Sequence, residues 1–501
     1  MAAERDLVLA LDEGTTSARS IVFDRTGATV ASAQREFEQR YPSPGDVRHD
    51  AEAIWEAQVA TAREAIDRAG GVERIAAIGV TNQRETAVVW DRATGRPVAD
   101  AIVWQSRVTA PFCERLRADG HEALVRSRTG LPIDAYFTGP KIRQILLETP
   151  ELRDRAAAGK LAAGTIDSYL IARLTDGRVH VTDVSNASRT LLLDIRRGAW
   201  DPELLGLMDV PASLLPTVRS SSEVYGESDP SLFGRPIPIA GIAGDQQAAT
   251  FGQACFEPGD AKVTLGTGAF LLANTGSTVA ESGRGLLSTI AWQLGPTAPP
   301  TYAIEGSVFV TGAAVQWLRD GLGLIRTSGE VDALAAGAAG SGGVVVVPAF
   351  VGLGAPYWDP TARGAILGIT RGTGAAEIAR ATLESIAFQV RDVVEAMDAD
   401  IGRPLTELRI DGGGAGDTVC GLVADHLGRP VERPANRETT AFGAAALAGL
   451  SVGLWASPGD IAALRRVDRR FEPTLSESDR ARAYRLWRRA VERARGWSID
   501  D

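Results

Sequence analysis

Cysteine and histidine are scarce. The 501 residues hold three cysteines, Cys113, Cys255 and Cys420, and four histidines, His49, His121, His180 and His426. The cysteines are far apart and form no CxxC, so neither a disulfide framework nor a thiol redox motif is expected, and a reducing cytoplasm is the simplest setting. Histidines so scattered argue against a zinc site of ordinary spacing. No uncharged apolar run reaches the ~18 residues a membrane span needs, so none is expected. Glu4, Arg5 and Asp6 interrupt the start of the chain, which argues against a secretory signal. Basic residues are outnumbered 53 to 63, for a net charge of -10. With no basic run besides, nucleic acid is not an expected partner. The arginines of the tail, "SESDRARAYRLWRRAVERARGW", alternate with Glu and Asp and read as a surface helix with a capping signal at Ser476 to Asp479.

Glycine is plentiful. Many of the 54 glycines cluster at the ends of apolar runs, where backbone can approach a ligand closely. A chain of this length exceeds one core, so two large domains are expected. "LVLALDEGTTSARSIVFDRTGATVA" reads as a buried strand over Leu7 to Leu11, a turn, a second strand over Ser20 to Phe23, and a hairpin into Ala28 to Ala31. Residues 50–69 have helical spacing through Ile54, Trp55, Val59, Ala62 and Ile66. "IAAIGVTN" is another strand and "TAVVWD" its successor, an α/β pattern. The second half repeats the theme in "DAKVTLGTGAFLLANTG" and "LRIDGGGAGDTVCGLVADHL", which suggests an ancient duplication. Residues 374–398 predict one long helix with an apolar face, and "LAAGAAGSGG", 334–343, a surface loop.

Five stretches carry candidate chemistry. In "DEGTTSAR" a Gly-Thr-Thr turn offers N–H groups and the hydroxyls of Thr15 and Thr16 to an anion, with Asp12 placed to hold a metal through water; a plain capped turn accounts for it equally. The GxxxxGK[ST] pattern is absent. "LGTGAF" sets Gly266 and Thr267 in a second such turn, and two turns together could clamp a polyphosphate. "DGGGAGD", 411–417, with "TGAAVQW", 311–317, suggests the floor of a nucleotide pocket or simply a glycine-rich bend. "GIAGDQQAATFG" puts Asp245 at a strand-to-helix junction, at the positive end of the helix dipole, where it either accepts a proton from an alcohol or merely caps the helix. In "NQRET" Arg84 and Glu85 combine donors and acceptors, either to bracket the hydroxyls of a small polyol or to satisfy each other. Trp104, Tyr136 and Phe270 are candidates for an apolar wall.

On "ALDEGTTSAR", "GVTNQRET", "AIVWQSR", "YFTGPK", "GRVHVTDVSNASRT", "GIAGDQQAATFGQ", "GTGAF" and "VPAFVGLGAPYWDPTARGAILGITRG" the chain resembles the glycerol kinases of the FGGY carbohydrate-kinase family. The combination of "NQRET", "GDQQAA" and "GAPYWDP" is the narrow part of the match, which runs over nearly the whole chain. The resemblance implies two actin-like, RNase-H-like α/β domains: 1–252 for polyol and phosphate, and 253–501 for nucleotide. It places ATP and Mg²⁺ in the cleft and implies phosphorylation of a terminal hydroxyl of glycerol. It assigns glycerol to Arg84, Glu85, Trp104, Tyr136, Asp245, Gln246 and Phe270, with Asp245 as catalytic base and Asp12 on the metal side. Thr15, Thr16, Arg19, Gly266 and Thr267 would surround the phosphates, and Gly312, Gln316, Gly413 and Asp417 would lie along the nucleotide. A homodimer and a homotetramer both stay open. The sequence departs from the family at Glu13, where Gln is common, at Asp417, where Asn is usual, and at Gln144, where the signature carries Trp. Glu13 is expected to add negative charge near the phosphates. Rival readings are a kinase for a longer polyol or sugar, and a nonenzymatic actin-like ATP-binding protein.

Overall fold

Leu7, Val8, Leu9, Ala10 and Leu11 are all buried, so the strand they form, β1 (Leu7–Glu13), is covered on both faces and sits inside a sheet. The computed structural model describes residues 5–405 and 407–498; Glu4 lies outside them. From β1 the chain turns through β2 (Ser17–Asp24) and β3 (Thr29–Glu36) as an antiparallel meander. Helix α1 (Ala51–Arg68) follows, capped by the Asp50 carboxylate on the backbone N–H groups of Glu52 and Ala53. It returns the chain to β4 (Ile75–Asn82), parallel to β1.

The next strand, β5 (Val88–Asp91), does not continue this sheet. It pairs antiparallel with β6 (Leu161–Gly164) in a separate two-stranded ladder. Strands β7 (Ser222–Glu227) and β8 (Pro238–Gly244) complete the first sheet, with β8 parallel to β4 and the order β7-β8-β4-β1-β2-β3. Helix α2 (Asp245–Gly252) leaves from the end of β8.

The second half is built on β9 (Ala261–Leu265), β10 (Ala269–Gly276), β11 (Leu287–Trp292) and β12 (Thr301–Val308). Helices α3 (Gly312–Asp320) and α4 (Ala375–Ile401) follow, then β13 (Leu408–Asp411), α5 (Asp417–Leu427), β14 (Val431–Pro434), α6 (Thr439–Ser451), β15 (Val467–Phe471) and α7 (Glu477–Ala494). The sheet order is β11-β12-β10-β9-β13-β14-β15. Along β12-β10-β9-β13-β14 the neighbours run antiparallel, antiparallel, parallel, parallel, the same sequence of relations as β3-β2-β1-β4-β8. The two halves therefore share one strand plan, as expected of a duplication.

Helix α4 runs past the expected end at 398 and stops at Gly402, which takes the left-handed conformation at φ 76°. Its stripe Leu383, Ile386, Val390 and Val393 shares a core with Val263, Leu271 and Ile410. The expected loop at 334–343 begins inside a short helix, Glu330–Ala335. The tail helix α7 is less superficial than its arginines suggest: Trp487 is fully buried and donates to Asp392.

Helix α6, from the second half, lies on the first sheet, packing Ala441, Phe442, Ala445 and Ala448 with Val8, Ala10, Ala77 and Ala240. It also crosses α2, with glycines at the contact. A Cβ on Gly443 would sit 1.8 Å from the Ala248 carbonyl oxygen, and one on Gly252 would sit 2.1 Å from that of Thr439. Among the described residues no helix is long and apolar enough to cross a membrane.

Candidate active site

The turn after β4 places two charged side chains where no strand would. The Gln83 N–H donates to the Glu13 carbonyl at 2.7 Å, which carries the β1–β4 pairing one residue on. Glu85 then adopts φ 62°, a left-handed conformation a non-glycine residue holds only when its surroundings impose it. Lys141, fully buried on the helix Thr138–Glu148, donates to the Glu85 carbonyl at 3.2 Å and to that of Phe137 at 3.3 Å, and also to Tyr136 O. Thr138 adds a hydroxyl to the Glu85 carbonyl at 3.3 Å. Burial lowers the Lys141 pKa to about 7.

Arg84 and Glu85 make only a long ion pair with each other, 3.9 Å, and their hydrogen bonds go elsewhere. Arg84 donates to both oxygens of Glu305, at 2.5 and 3.1 Å, and its Nε lies 3.1 Å from Asp245 Oδ1. Glu85 Oε1 accepts from Arg189 Nε at 2.7 Å, and Arg189 also donates to Glu305 at 3.1 Å. Arg84, Glu85, Arg189 and Glu305 are all buried, and two cations there offset two anions. Burial favours the protonated form of Glu305, but Arg189 and Arg84 outweigh it and hold the carboxyl at about 2. Burial opposes the charge on Arg84, and Glu305 and then Glu85 more than restore it, raising its pKa well above the ordinary value. Gly244 makes room for the arginine: a Cβ there would sit 2.7 Å from Arg84 Cγ.

Asp245 is the exposed member of this cluster, its side chain 33 % accessible. Its oxygens accept from the Gln246 N–H at 2.8 Å and from Gln246 Nε2 at 3.0 Å. Trp104 stands edge-on to Tyr136 at 5.8 Å and to Phe270 at 6.2 Å between ring centroids, so the three aromatics form one wall with contributions from both halves. The Trp104 indole N–H donates to Thr15 Oγ1 at 3.0 Å, which ties that wall to the first Gly-Thr-Thr turn.

Beside that turn, Arg19 bridges Asp12 at 2.5 Å and Glu438 at 2.8 Å. Burial raises the Asp12 pKa, Arg19 lowers it, and the charges of Glu438 and Asp245 raise it again. Glu13 turns inward: it is fully buried, accepts from Gln83 Nε2 at 3.2 Å, and burial pushes its carboxyl well above the ordinary range. That burial disfavours the charged form, against the negative charge expected from Glu13 beside the phosphates.

The second turn is braced from two sides. The N–H groups of Thr311, Gly312 and Ala313 donate to the carbonyls of Gly266 and Thr267 at 2.9–3.1 Å. Gly414 N–H donates to Leu265 O at 3.0 Å, and a Cβ on Gly412 would meet that oxygen at 2.3 Å. Gly266, Thr267, Gly312 and Gly413 are thus gathered on neighbouring segments, with Gln316 one helical turn beyond and exposed. Asp417 points its carboxylate at Arg433, 2.7 Å, and Arg469, 2.5 Å.

Four buried residues at the site were not among the sequence candidates: Lys141, Arg189, Glu305, and Lys262, whose ammonium donates to Gln246 Oε1. Lys262 and Glu305 leave one trace, a single charge inside an apolar strand, in "AKVTL" and "TYAIEGSV".

These features define a two-halved α/β phosphotransferase cleft, and the comparisons agree. The N-terminal domain of the FGGY family of carbohydrate kinases matches residues 7–252 and its C-terminal domain residues 261–452, so the chain belongs to that family. Within it, the chain is 55 % identical over 500 residues to the glycerol kinase of Deinococcus radiodurans and 56 % identical over 497 residues to that of Carboxydothermus hydrogenoformans, each match covering 99 % of both chains. Its structure is similar to the crystal structure of Plasmodium falciparum glycerol kinase with ADP: TM-score 0.92, 35 % identity, 98 % of each chain covered. A xylulose kinase from Rhodospirillum rubrum is more distant, at 26 % identity and TM-score 0.84, covering 96 % of this chain and 98 % of that one.

Proposed function

We infer that the protein is an ATP-dependent glycerol kinase, producing sn-glycerol 3-phosphate and ADP. The observation that carries this reading is the pairing of Arg84 with Asp245 at 3.1 Å, beside Glu85 and under the wall of Trp104, Tyr136 and Phe270. Arg189 takes one oxygen of Glu85, and we assign the other, with Arg84, to the hydroxyls of the triol. Gln246, its amide already engaged by Asp245, acts on the triol through that carboxylate. The terminal hydroxyl oxygen attacks the γ-phosphorus while its proton passes to Asp245. The new O–P bond forms as the bond to the β,γ-bridging oxygen breaks, releasing ADP. Holding the hydroxyl in line is the larger part of the catalysis, since positioning of this kind is worth several powers of ten.

Thr15, Thr16, Arg19, Gly266 and Thr267 are assigned to the phosphates, and Gly312, Gln316 and Gly413 to the rest of the nucleotide. Asp417, held by Arg433 and Arg469, serves the nucleotide through the position of its helix N-terminus. Asp12 fits Mg²⁺. It is a buried hard oxygen donor of which Arg19 takes one oxygen, Oδ2; burial disfavours its charge, Arg19 supports it, and Glu438 and Asp245 oppose it again, so a further cation beside it would favour the carboxylate. Mg²⁺ bound there would neutralise charge on the transferring phosphoryl group.

The test is ADP release by the purified protein with Mg-ATP and glycerol, erythritol, xylulose or no polyol, with the product identified. Release that depends on glycerol and yields glycerol 3-phosphate is expected. Faster turnover of a longer polyol would reassign the pocket, and polyol-independent hydrolysis would remove the kinase reading.

A further inference from the structure

Lys262 is a buried cation that the transfer scheme leaves without a task. It lies on β9, the central strand of the second half, and is fully buried. Its ammonium donates to Gln246 Oε1, to Thr264 Oγ1 at 3.0 Å and to the Phe270 carbonyl at 3.5 Å. Gln246 in turn donates from Nε2 to Asp245 Oδ2 at 3.0 Å, and its backbone N–H holds Oδ1 at 2.8 Å. An amide has one accepting end and one donating end. With an ammonium on the accepting end, the NH₂ must face the carboxylate. The flipped amide would set NH₂ against ammonium and oxygen against carboxylate, and both contacts repel.

We propose that Lys262 is a positioning residue of the kinase reaction, reaching from the second half to fix the amide of Gln246 and, through it, the orientation of the Asp245 carboxylate. The same ammonium also lies 3.5 Å from the carbonyl of Phe270, whose ring belongs to the apolar wall. Burial lowers the lysine to about 8, with Asp411 and Asp245 opposing the fall and Arg84 adding to it, so the cation persists at neutral pH. The proposal rests on the assignment of Asp245 as the base.

The experiment measures kcat and both KM values for full-length Lys262→Met, Gln246→Leu, the double variant, Gln246→Glu and Asp245→Asn. A misplaced catalytic group costs on the order of 100-fold, so kcat of each single variant is expected to fall 10- to 100-fold while the KM for Mg-ATP holds. The double variant is expected to be no slower than the slower single one, because both cut the same chain. Losses that multiply would overturn the proposal. Gln246→Glu keeps an acceptor for Lys262 and the backbone N–H to Asp245 but loses the side-chain N–H to Oδ2, so it should lose as much kcat as Gln246→Leu. This arm stands even if Lys262→Met fails to fold. Full kcat in Gln246→Glu would overturn the relay. Full kcat in Asp245→Asn would instead overturn the base assignment, so the two failures are distinguishable.

Discussion

Glu305 shows how one residue holds a site together across 221 positions of sequence. It is the shared acceptor for Arg84 and Arg189, and all three are buried. Replacing it with Gln keeps the shape but leaves two buried guanidinium groups with one buried carboxylate, Glu85, and the part-exposed Asp245. Breaking a buried pair in this way costs about 3–5 kcal/mol. Glu305→Gln is therefore expected to lower the thermal midpoint and, by freeing Arg84, to raise the KM for glycerol more than that for Mg-ATP. An unchanged glycerol KM would show that Arg84 is held without Glu305. The effect has a pH signature. The Glu305 pKa is depressed in the folded protein, to about 2, so its stabilisation is complete above the ordinary value of 4.5 and is lost as pH falls from there toward 2. The stability gap between the protein and Glu305→Gln, read from urea midpoints, should shrink over that window; a constant gap would contradict the ionised pair. Arg84, Glu85 and Asp245 were legible in the sequence because they stand at turns, where a charge asks for a reason. Glu305 and Lys262 were not. Each is one charge in an apolar strand, and its reason lies in residues that only the fold brings near.

At the scale of elements, the crossing of α2 and α6 is the joint between the halves. The Gly443 Cα faces the Ala248 carbonyl so closely that an added Cβ would approach it to 1.8 Å, and the obstructing atom is backbone. Gly443→Ala must therefore spread the two helices. Since α2 begins with Asp245 and Gln246, the spread reaches the site. A lower thermal midpoint and a lower kcat are expected together; a variant with normal values of both would mean the crossing is not under the constraint its geometry implies. By contrast, Asp50→Ala, which removes the cap of α1 and the ion pair to Arg40, is expected to cost about 1 kcal/mol in denaturant titrations; an unchanged midpoint would mean that the cap contributes nothing. The strands at Leu7, Ile75 and Ala261 and the helices at 51–68 and 375–401 were readable from apolar periodicity. The placement of "TAVVWD" was not. Its pattern is that of a strand, but the left-handed Glu85 turns it out of the first sheet, and no pattern of hydrophobicity records which ladder a strand joins.

The whole molecule repeats one strand plan twice, and the copies meet where their turns end. The duplication was visible in the two Gly-Thr turns, whereas the packing of α6 on the first sheet was not, because an alanine-rich face does not record which sheet it covers. The base of the cleft is fastened by Glu305 to Arg84 and by Asp411, which accepts from Gln253 at 2.7 Å and Thr439 at 2.5 Å, at the ends of α2 and α6. At the rim, Thr16, Gly266 and Thr267 are exposed. A base held by buried ion pairs and a rim left open favour rotation about the helix crossing. A ligand that touches both turns binds the closed form better and draws the population toward it. Closure also removes water, the competing acceptor of the phosphoryl group. Small-angle scattering should therefore show a smaller radius of gyration with glycerol and a non-hydrolysable Mg-ATP analogue together than with either alone. An unchanged radius under saturating ligands would mean that the halves are already closed. Exclusion of water would then have to come from the Trp104, Tyr136 and Phe270 wall alone.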